Sequence, residues 1–398
     1  MDAEACAGPE HEGSCQQNGA LDSGGWVAVR AASLPSAIAD ELRREVRAFL
    51  DDELGRGTFL PRCDGWMSGY DAEFSRRLAA RGWVGMTIPQ EYGGPGRSAL
   101  ERFIVIEELL AAGAPVMAHW ITDRQVAGAL LRFGSEEQKR RYLPGIARAE
   151  EIVAIGMSEP EAGSDLAGIT TRAVRDGDGW RLRGRKVWTT NAHRATAIVL
   201  LARTDPDLKD RHAGISQFLL PLPNPRVDVS PIRAIDGNHD FNEVVLDDVP
   251  LTDAHLLGRE GDGWQQVTAE LATERSGPER ILSTLPLLRA WAREAPDSDE
   301  LGRLVAQLVT LRRMSVSIAA ALDEGERPEV EAALVKDLGT QFEGEVVDAV
   351  RRTTRSEERS EELARLLDHA VLQTPAFTLR GGTNEVLRSV VARGLALR

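Results

Sequence analysis

The sequence has few cysteines, few aromatic residues and no long apolar run. Only three of its 398 residues are cysteine, namely Cys6, Cys15 and Cys63, and their spacing matches neither a zinc site nor a disulfide framework. This scarcity favours a reduced, cytoplasmic setting. The seven histidines are scattered without the paired spacing of a metal site, so we expect no metal.

Basic residues are not in excess either. The chain has 62 Asp and Glu against 48 Lys and Arg, and its formal net charge of −14 argues against a nucleic acid as partner. No apolar run has the length of a membrane span, and the acidic N-terminus lacks the basic and apolar regions of a secretory signal. A hydrophobic content of 42% with 28% charged residues is typical of a soluble globular protein, here long enough for two or three domains.

The pattern of apolar residues changes along the chain and predicts an α+β protein of several domains. Apolar residues four apart on one face, namely Ile38, Leu42, Val46 and Leu50, predict helices in the first part, and Ser135 with Gln138 is typical of a capping box. Short apolar runs separated by turn residues predict strands in the middle. We expect a disordered tail at 1–33, an N-terminal α-helical domain at 34–150, a mostly antiparallel β domain at 151–258 and a C-terminal helical bundle at 259–398.

Two segments in the middle of the chain have the residue types of a ligand site. The first, 157–165 (MSEPEAGSD), is a loop whose small residues let the backbone approach a ligand, and whose N–H groups and hydroxyls suit carbonyl or phosphate oxygens. The second, 184–191 (GRKVWTTN), is an alternating strand that ends with a Trp ring beside two threonines. A flat ring beside short donors suits a planar cofactor that forms hydrogen bonds.

Together these segments resemble the flavin-binding centre of the acyl-CoA dehydrogenase family. The resemblance extends from about Leu42 to Arg398 and is densest at 151–191, 243–275 and 379–393. It implies an α, β, α order of domains, bound FAD, and α,β-desaturation of an acyl thioester. The substrate would be an acyl-CoA or an acyl group on a carrier protein, and an electron-transfer flavoprotein or a similar acceptor would take the electrons.

The resemblance also implies which residues touch the cofactor. Ser158 would bond the pyrimidine edge of the flavin, Trp188 would lie against the ring, and Thr190 would lie near its reactive nitrogen. Thr383 and Glu385 would reach the adenosine half or the pyrophosphate, although a plain capped helix is the alternative there. The full implied set is Ile155, Met157, Ser158, Gly163, Ser164, Trp188, Thr189, Thr190, Thr383 and Glu385, with Ser164 and Arg275 as substrate contacts.

The position of the catalytic base departs from many members of the family. Many relatives have a glutamate immediately before the closing Gly-Thr pair, where this chain has Gly381. The isovaleryl- and long-chain-type members have the glutamate on an earlier helix, followed by arginine, which matches Glu274 and Arg275. We therefore expect Glu274 to take the α proton. Glu270, one helical turn earlier, is the more serious rival, and we expect Glu279 to be structural.

Two further departures concern contacts between subunits. The stretch 288–294 lacks the Phe-Gly pair that often reaches a neighbouring flavin, and 351–357 replaces a Gln-x-x-Gly-Gly segment. The chain could therefore work in a homo- or a hetero-oligomer. Two alternative functions stay open, a non-catalytic partner subunit and an oxygen-using flavin oxidase or monooxygenase. We assign no role to His239, and His193 is best interpreted as a turn residue.

Overall fold

The computed structural model describes residues 36–205, 209–275 and 277–396, so the tail predicted at 1–33 lies outside the described residues. The chain begins with helices, continues through a β-sheet and ends with helices. This order confirms the predicted fold class.

The N-terminal part is helical, and its first helix buries the face that the apolar spacing predicts. Leu42, Val46 and Leu50 are buried, whereas Ile38 at the start of the helix is half exposed. Ser135 and Gln138 form the predicted capping box at the start of the last helix. The helices are α1 Ser36–Gly55, α2 Gly65–Ser68, α3 Ala72–Ala79, α4 Ala99–Ala111, α5 Met117–Ile121, α6 Ala127–Phe133 and α7 Glu136–Ala147, with a π-helical turn, Thr122–Val126, between α5 and α6.

The strands of the middle part form one sheet, which is mostly antiparallel as predicted. Its order is β6-β7-β3-β2-β4-β5-β8, and β1 pairs with β4 in parallel. The longest pairing, between β3 and β7, is antiparallel and carries the segment 184–191. The strands are β1 Val153–Gly156, β2 Arg172–Asp176, β3 Gly179–Thr190, β4 Ala197–Arg203, β5 Ile215–Pro221, β6 Val227–Ile232, β7 Phe241–Thr252 and β8 Leu256–Leu257.

The C-terminal part is a bundle of helices. Its helices are α8 Gly263–Glu274, α9 Leu285–Glu294, α10 Asp299–Asp323, α11 Glu329–Thr353, α12 Glu361–Phe377 and α13 Asn384–Gly394. Among the helices that the structure describes, α10 is long and apolar enough to cross a membrane by length and composition alone. That is weak evidence for a span, because α10 packs on α4 and α11 and the same properties suit a core helix.

Several apolar cores hold these parts together, and one of them packs Leu130 and Leu143 of the N-terminal helices against Val199 and Leu219 of the sheet. The largest core joins the N-terminal helices to the C-terminal bundle and contains aromatic side chains from both, including Phe74, Trp83, Trp291 and Phe342. A separate core around Trp180 fills the sheet. Since helices from both ends of the chain share one core, the first and last parts form a single base for the sheet.

Candidate active site

The loop 157–165 lies along β3, so the two segments singled out in the sequence are neighbours in space. The backbone N–H of Val187 donates to the carbonyl oxygen of Ser158 at 2.9 Å. The Nζ atom of Lys186 donates to the carbonyl oxygen of Met157 at 3.0 Å. The Met157 side chain packs on the apolar cluster that contains Val267 of α8. The loop is thereby held between the sheet and the first helix of the C-terminal bundle.

The same loop leaves hydrogen-bond donors open. Within the part of the chain that the structure describes, no acceptor lies within bonding distance of the N–H groups of Ser158, Gly163 and Ser164 or of the two serine hydroxyls. A Cβ atom added to Gly163 would meet nothing within 4 Å, so space is open beside the loop. Unpaired N–H groups around open space suit phosphate or carbonyl oxygens. Ile155, on β1, is half-buried behind the loop.

A bulge in β3 turns Trp188 out of the sheet. Lys186 pairs with Val244 and Thr189 pairs with Asn242, so two residues of β3 face one residue of β7. Trp188 has φ of 57°, which is rare for a non-glycine residue, and 58% of it is exposed. Its ring meets Phe241 edge-on with centroids 5.9 Å apart. The bulge presents a flat, open aromatic face beside the loop, as a planar cofactor needs.

Thr189 and Thr190 follow the bulge and are both buried. The Oγ1 atom of Thr189 has no hydrogen-bond partner among the described residues, which leaves it free for a ligand or a water molecule. The Thr189 carbonyl oxygen accepts from Nδ2 of Asn242 at 2.9 Å, and Oδ1 of Asn242 lies 3.1 Å from Nδ1 of His193 and 2.8 Å from Nε2 of His239. The two histidine rings stack 3.9 Å apart. This set of contacts holds the end of β3 from behind.

The closing motif forms the N-terminus of α13. Gly381 and Gly382 both have positive φ, 68° and 90°, and the Thr383 side chain accepts from the N–H of Val386 as a helix cap. Glu385 is exposed. Its pKa is lowered by hydrogen bonds from its own backbone and from Thr383. These contacts are those of a capped helix, and cofactor contact by Thr383 and Glu385 stays a prediction.

The C-terminal end of α8 meets the closing motif. Arg275 is buried, and its Nε donates to the carbonyl oxygen of Gly381 at 2.9 Å. Glu274 is the last residue of α8, and its side chain lies outside the described residues. The structure therefore brings together the two positions, 274 and 381, where different members of the family have their base. The helix α8 has 12 residues and is about 18 Å long. The loop residue Met157 packs on the cluster that includes Trp264 and Val267 in the first half of α8, whereas Arg275, just after its last residue, contacts the closing motif.

The rival glutamates occupy different surroundings. Glu270 is buried on α8. Glu279 is buried and pairs with Nη2 of Arg124 at 3.1 Å, with both side chains at most 5% exposed. A buried contact between Arg124 and Glu279 agrees with the structural role expected for Glu279.

Buried charges behind the closing motif were not noticed in the sequence. Nη1 of Arg380 donates to Oδ2 of Asp64 at 2.8 Å, and the guanidinium lies over the ring of Trp66 at 4.6 Å. Burial raises the pKa of Asp64, against the influence of Arg380. Burial, together with the nearby Asp64, raises the pKa of Glu343 to about 8. These residues come from distant parts of the chain, so nothing in their local sequence pointed to one another.

Lys186 and Glu159 were also missed, although the sequence contained a clue. Trp180, Leu182 and Lys186 alternate along β3 on its buried face, so period two alone places a lysine inside. A buried lysine needs a partner, and here Glu159 lies 2.8 Å away. In the described ranges, no group of three or more His, Cys, Asp or Glu side chains is arranged to hold a metal ion.

Comparison with known proteins identifies the family. Three family models match, described as the acyl-CoA dehydrogenase N-terminal domain at residues 36–150, the middle domain at 154–249 and the C-terminal domain at 291–396. The acyl-CoA dehydrogenase IpdE1 of Mycobacterium tuberculosis is 36% identical over 381 residues, which cover 89% of this chain and 96% of IpdE1.

Two solved structures are also similar over nearly their whole length. The Tcur3481–Tcur3483 steroid ACAD is 31% identical with a TM-score of 0.79, and the match covers 93% of this chain and 99% of that one. A chain of the ChsE4–ChsE5 complex from Mycobacterium tuberculosis is 29% identical with a TM-score of 0.77 over the same shares. The chain therefore belongs to the acyl-CoA dehydrogenase family, whose members are FAD-dependent oxidoreductases.

Proposed function

We propose that this protein binds FAD and desaturates an acyl-CoA between its α and β carbons, with Glu274 as the base that takes the α proton. The observation that carries the proposal is the hydrogen bond from Arg275 to Gly381. It holds the end of α8 against the position where other members of the family have their glutamate. A carboxylate at residue 274 would therefore lie close to the position where those members have their glutamate.

The open donors beside β3 fit the proposed cofactor. The N–H groups of Ser158, Gly163 and Ser164 would hold polar atoms of FAD, with Ile155 and Met157 behind them. Trp188 would cover the ring, and Thr189 and Thr190 would bond its edge, since Thr189 has a buried hydroxyl without a described partner. When bound, FAD supplies the acceptor for the β hydride, which no side chain can be. Thr383 and Glu385 would meet its other end.

The proton step requires a carboxylate with little water around it. The acyl chain would exclude water from Glu274, which raises the pKa of a carboxyl group and makes it a stronger base. The α proton would pass to an oxygen of Glu274, while donors to the thioester carbonyl would stabilise the developing negative charge. Arg275 would fix the helix end that carries Glu274, and Ser164 would lie near a phosphate of the substrate.

The substrate class follows from the relatives. The similar solved structure named as a steroid ACAD supports an acyl-CoA with a bulky, ring-bearing acyl group as the first class to test. An acyl group on a carrier protein is the other thioester to include. We propose an electron-transfer flavoprotein or a similar acceptor for the electrons, and a cytoplasmic location.

A second candidate is a catalytic or non-catalytic subunit of a heteromer. Similarity to the Tcur3481–Tcur3483 enzyme and to the ChsE4–ChsE5 complex, whose names each combine two components, favours it. Exposed apolar side chains on the C-terminal helices, among them Val309, Leu338 and Leu372, also support assembly through these helices. Such apolar side chains could be buried between subunits in a homo-oligomer as well as in a hetero-oligomer.

The test is the visible spectrum of the purified protein under anaerobic addition of acyl-CoA thioesters of different size. Bleaching of a bound flavin is the expected result. Glu274→Gln should keep the colour and abolish bleaching, whereas Glu270→Gln, the matched variant one turn earlier, should still bleach. A protein that stays colourless after addition of FAD would exclude a solitary enzyme and favour the partner subunit. Rapid reoxidation of the reduced protein by air would instead favour an oxygen-using enzyme.

A further inference from the structure

Lys186 and Glu159 form an ion pair buried behind the loop 157–165. Nζ of Lys186 lies 2.8 Å from Oε1 of Glu159, and their side chains are 0% and 3% exposed. Removing two charges from water is costly unless further hydrogen bonds compensate. The proposed function gives neither residue a role. Both side chains, however, also bind backbone groups, Lys186 at Met157 and Glu159 at Thr170.

The Glu159 carboxylate joins the loop 157–165 to Thr170 and Thr171, which follow it in the chain. Oε2 accepts from the N–H of Thr170 at 2.7 Å and from its hydroxyl at 2.8 Å, and Oε1 accepts from the N–H of Thr171 at 3.0 Å. Burial raises the pKa of Glu159, but the Lys186 charge and these hydrogen bonds outweigh burial and lower the pKa to about 2. A carboxylate whose pKa is lowered in this way therefore ties the beginning of the loop to the residues that follow its end.

The Lys186 ammonium sets the direction of one peptide group. It donates to the carbonyl oxygen of Met157 at 3.0 Å. In a trans peptide the C=O and the following N–H point in opposite directions, so the N–H of Ser158 points away from Lys186. That is the N–H for which no acceptor was found among the described residues. Lys186 thus turns a hydrogen-bond donor toward the open side of the loop.

We propose that Lys186 and Glu159 are positioning residues for the flavin, which fix the peptide between Met157 and Ser158 so that its donor faces the cofactor. This inference rests on the proposed function, because it requires that FAD binds beside Ser158. Neither residue needs to touch the cofactor. Their contribution is to orient the loop before FAD arrives, which lowers the cost of binding.

The chain offers a matched control next to Lys186. Arg185 lies one residue earlier on β3 and pairs with Glu243 at 3.1 Å, with side chains 58% and 33% exposed. Successive residues of a strand point to opposite faces, so Arg185 belongs to the other side of the sheet. Exposed pairs of this kind contribute little to stability. Arg185→Met therefore removes the same charge from the same strand without touching the loop.

The experiment compares Lys186→Met, Glu159→Gln, the double variant and Arg185→Met as full-length apoproteins. Two quantities are measured for each, the melting temperature without FAD and the dissociation constant for FAD by quenching of flavin fluorescence. The double variant is the decisive one, because no unpaired charge stays buried and the single amide oxygen of the glutamine still accepts from the N–H and hydroxyl of Thr170, so that only the bond from Thr171 is lost. It should melt close to the wild type yet bind FAD about tenfold more weakly, equivalent to about 1.4 kcal/mol.

Each outcome decides the proposal. Arg185→Met should bind FAD as the wild type does, and the visible spectrum of bound flavin should shift in the double variant but not in the control. If Lys186→Met fails to fold, Glu159→Gln and the double variant are compared with the wild type and Arg185→Met instead. Wild-type affinity in the double variant would overturn the positioning role and leave the proposed function intact. A wild-type chain that takes up no FAD would overturn both.

Discussion

Nε of Arg275, the residue after α8, donates a 2.9 Å hydrogen bond to the carbonyl oxygen of Gly381 in the turn before α13. The two residues are 106 positions apart. A Cβ atom added to Gly382 would lie 3.1 Å from Nη2 of Arg275, so a small residue at 382 also leaves room for the guanidinium. The bond joins the proposed base helix to the closing motif.

Arg275→Lys should impair catalysis more than folding. Lysine keeps the charge but lacks the Nε donor of the planar guanidinium, and a hydrogen bond from a charged group contributes about 1.5–3 kcal/mol. We expect the rate of flavin bleaching by substrate to fall about tenfold, because the end of α8 is no longer fixed. Arg388→Lys is the control and should bleach normally, because the exposed Arg388 of α13 pairs with the buried Asp337 of α11 and has no hydrogen bond to the described residues of α8. Equal bleaching rates in both variants would contradict the positioning of Glu274 by Arg275.

Trp188→Gly should weaken FAD binding without destabilising the apoprotein. Glycine adopts the positive φ of this position without strain, and the exposed ring contributes little to the core. Loss of an aromatic face from a cofactor should cost about 1 kcal/mol or more, seen as about a tenfold higher dissociation constant. Val174→Ala, which changes an equally exposed residue of β2, should leave the affinity for FAD unchanged. A large drop in melting temperature without FAD would show that Trp188 is structural.

Arg380→Met should destabilise the protein strongly, because it leaves Asp64 buried without its ion-pair partner. Loss of one member of a buried pair costs about 3–5 kcal/mol. Asp64→Asn in the same chain should restore part of that loss, because the amide carries no charge. Urea unfolding of the two single variants and the double variant measures the coupling between the residues. Additive effects would mean that the 2.8 Å contact contributes little.

Glu343 should make stability depend on pH. The pKa of Glu343 is about 8 in the folded chain against an ordinary value of 4.5. The folded state therefore keeps a proton that the unfolded state releases, so the contribution is fully present below about pH 4.5 and is lost as pH rises through 8. Glu343→Gln keeps the acceptor for the N–H of Ser283 and should melt increasingly above the wild type from pH 5 to 8. The difference should be absent for Glu345→Gln at the exposed pair with Arg303.

Local patterns were enough for much of the fold. Apolar residues four apart predicted α1, and Ser135 with Gln138 predicted the start of α7, because both depend on contacts within one helix. The alternation at 184–191 likewise predicted the second half of β3, which runs from Gly179 to Thr190. Ile38 is exposed because the helix begins there, beyond the edge of the core.

Only part of the candidate site could be predicted from local sequence patterns. The loop 157–165 and the strand end at Trp188 were recognised by their residue types, and the structure places them side by side. The roles assigned to the individual residues, including Glu274 as base, stay predictions. The bulge that turns Trp188 outward could not be predicted, since it depends on the register between β3 and β7.

The sequence by itself determined the family, the order of helices and strands, and the residue types available for chemistry, because these follow from short-range patterns. Only the tertiary structure decided which distant groups meet: Arg275 with Gly381, Arg380 with Asp64, and Lys186 with Glu159. The physical reason is that a buried charge needs a hydrogen-bonding or oppositely charged partner, and the fold alone determines which groups are buried next to each other.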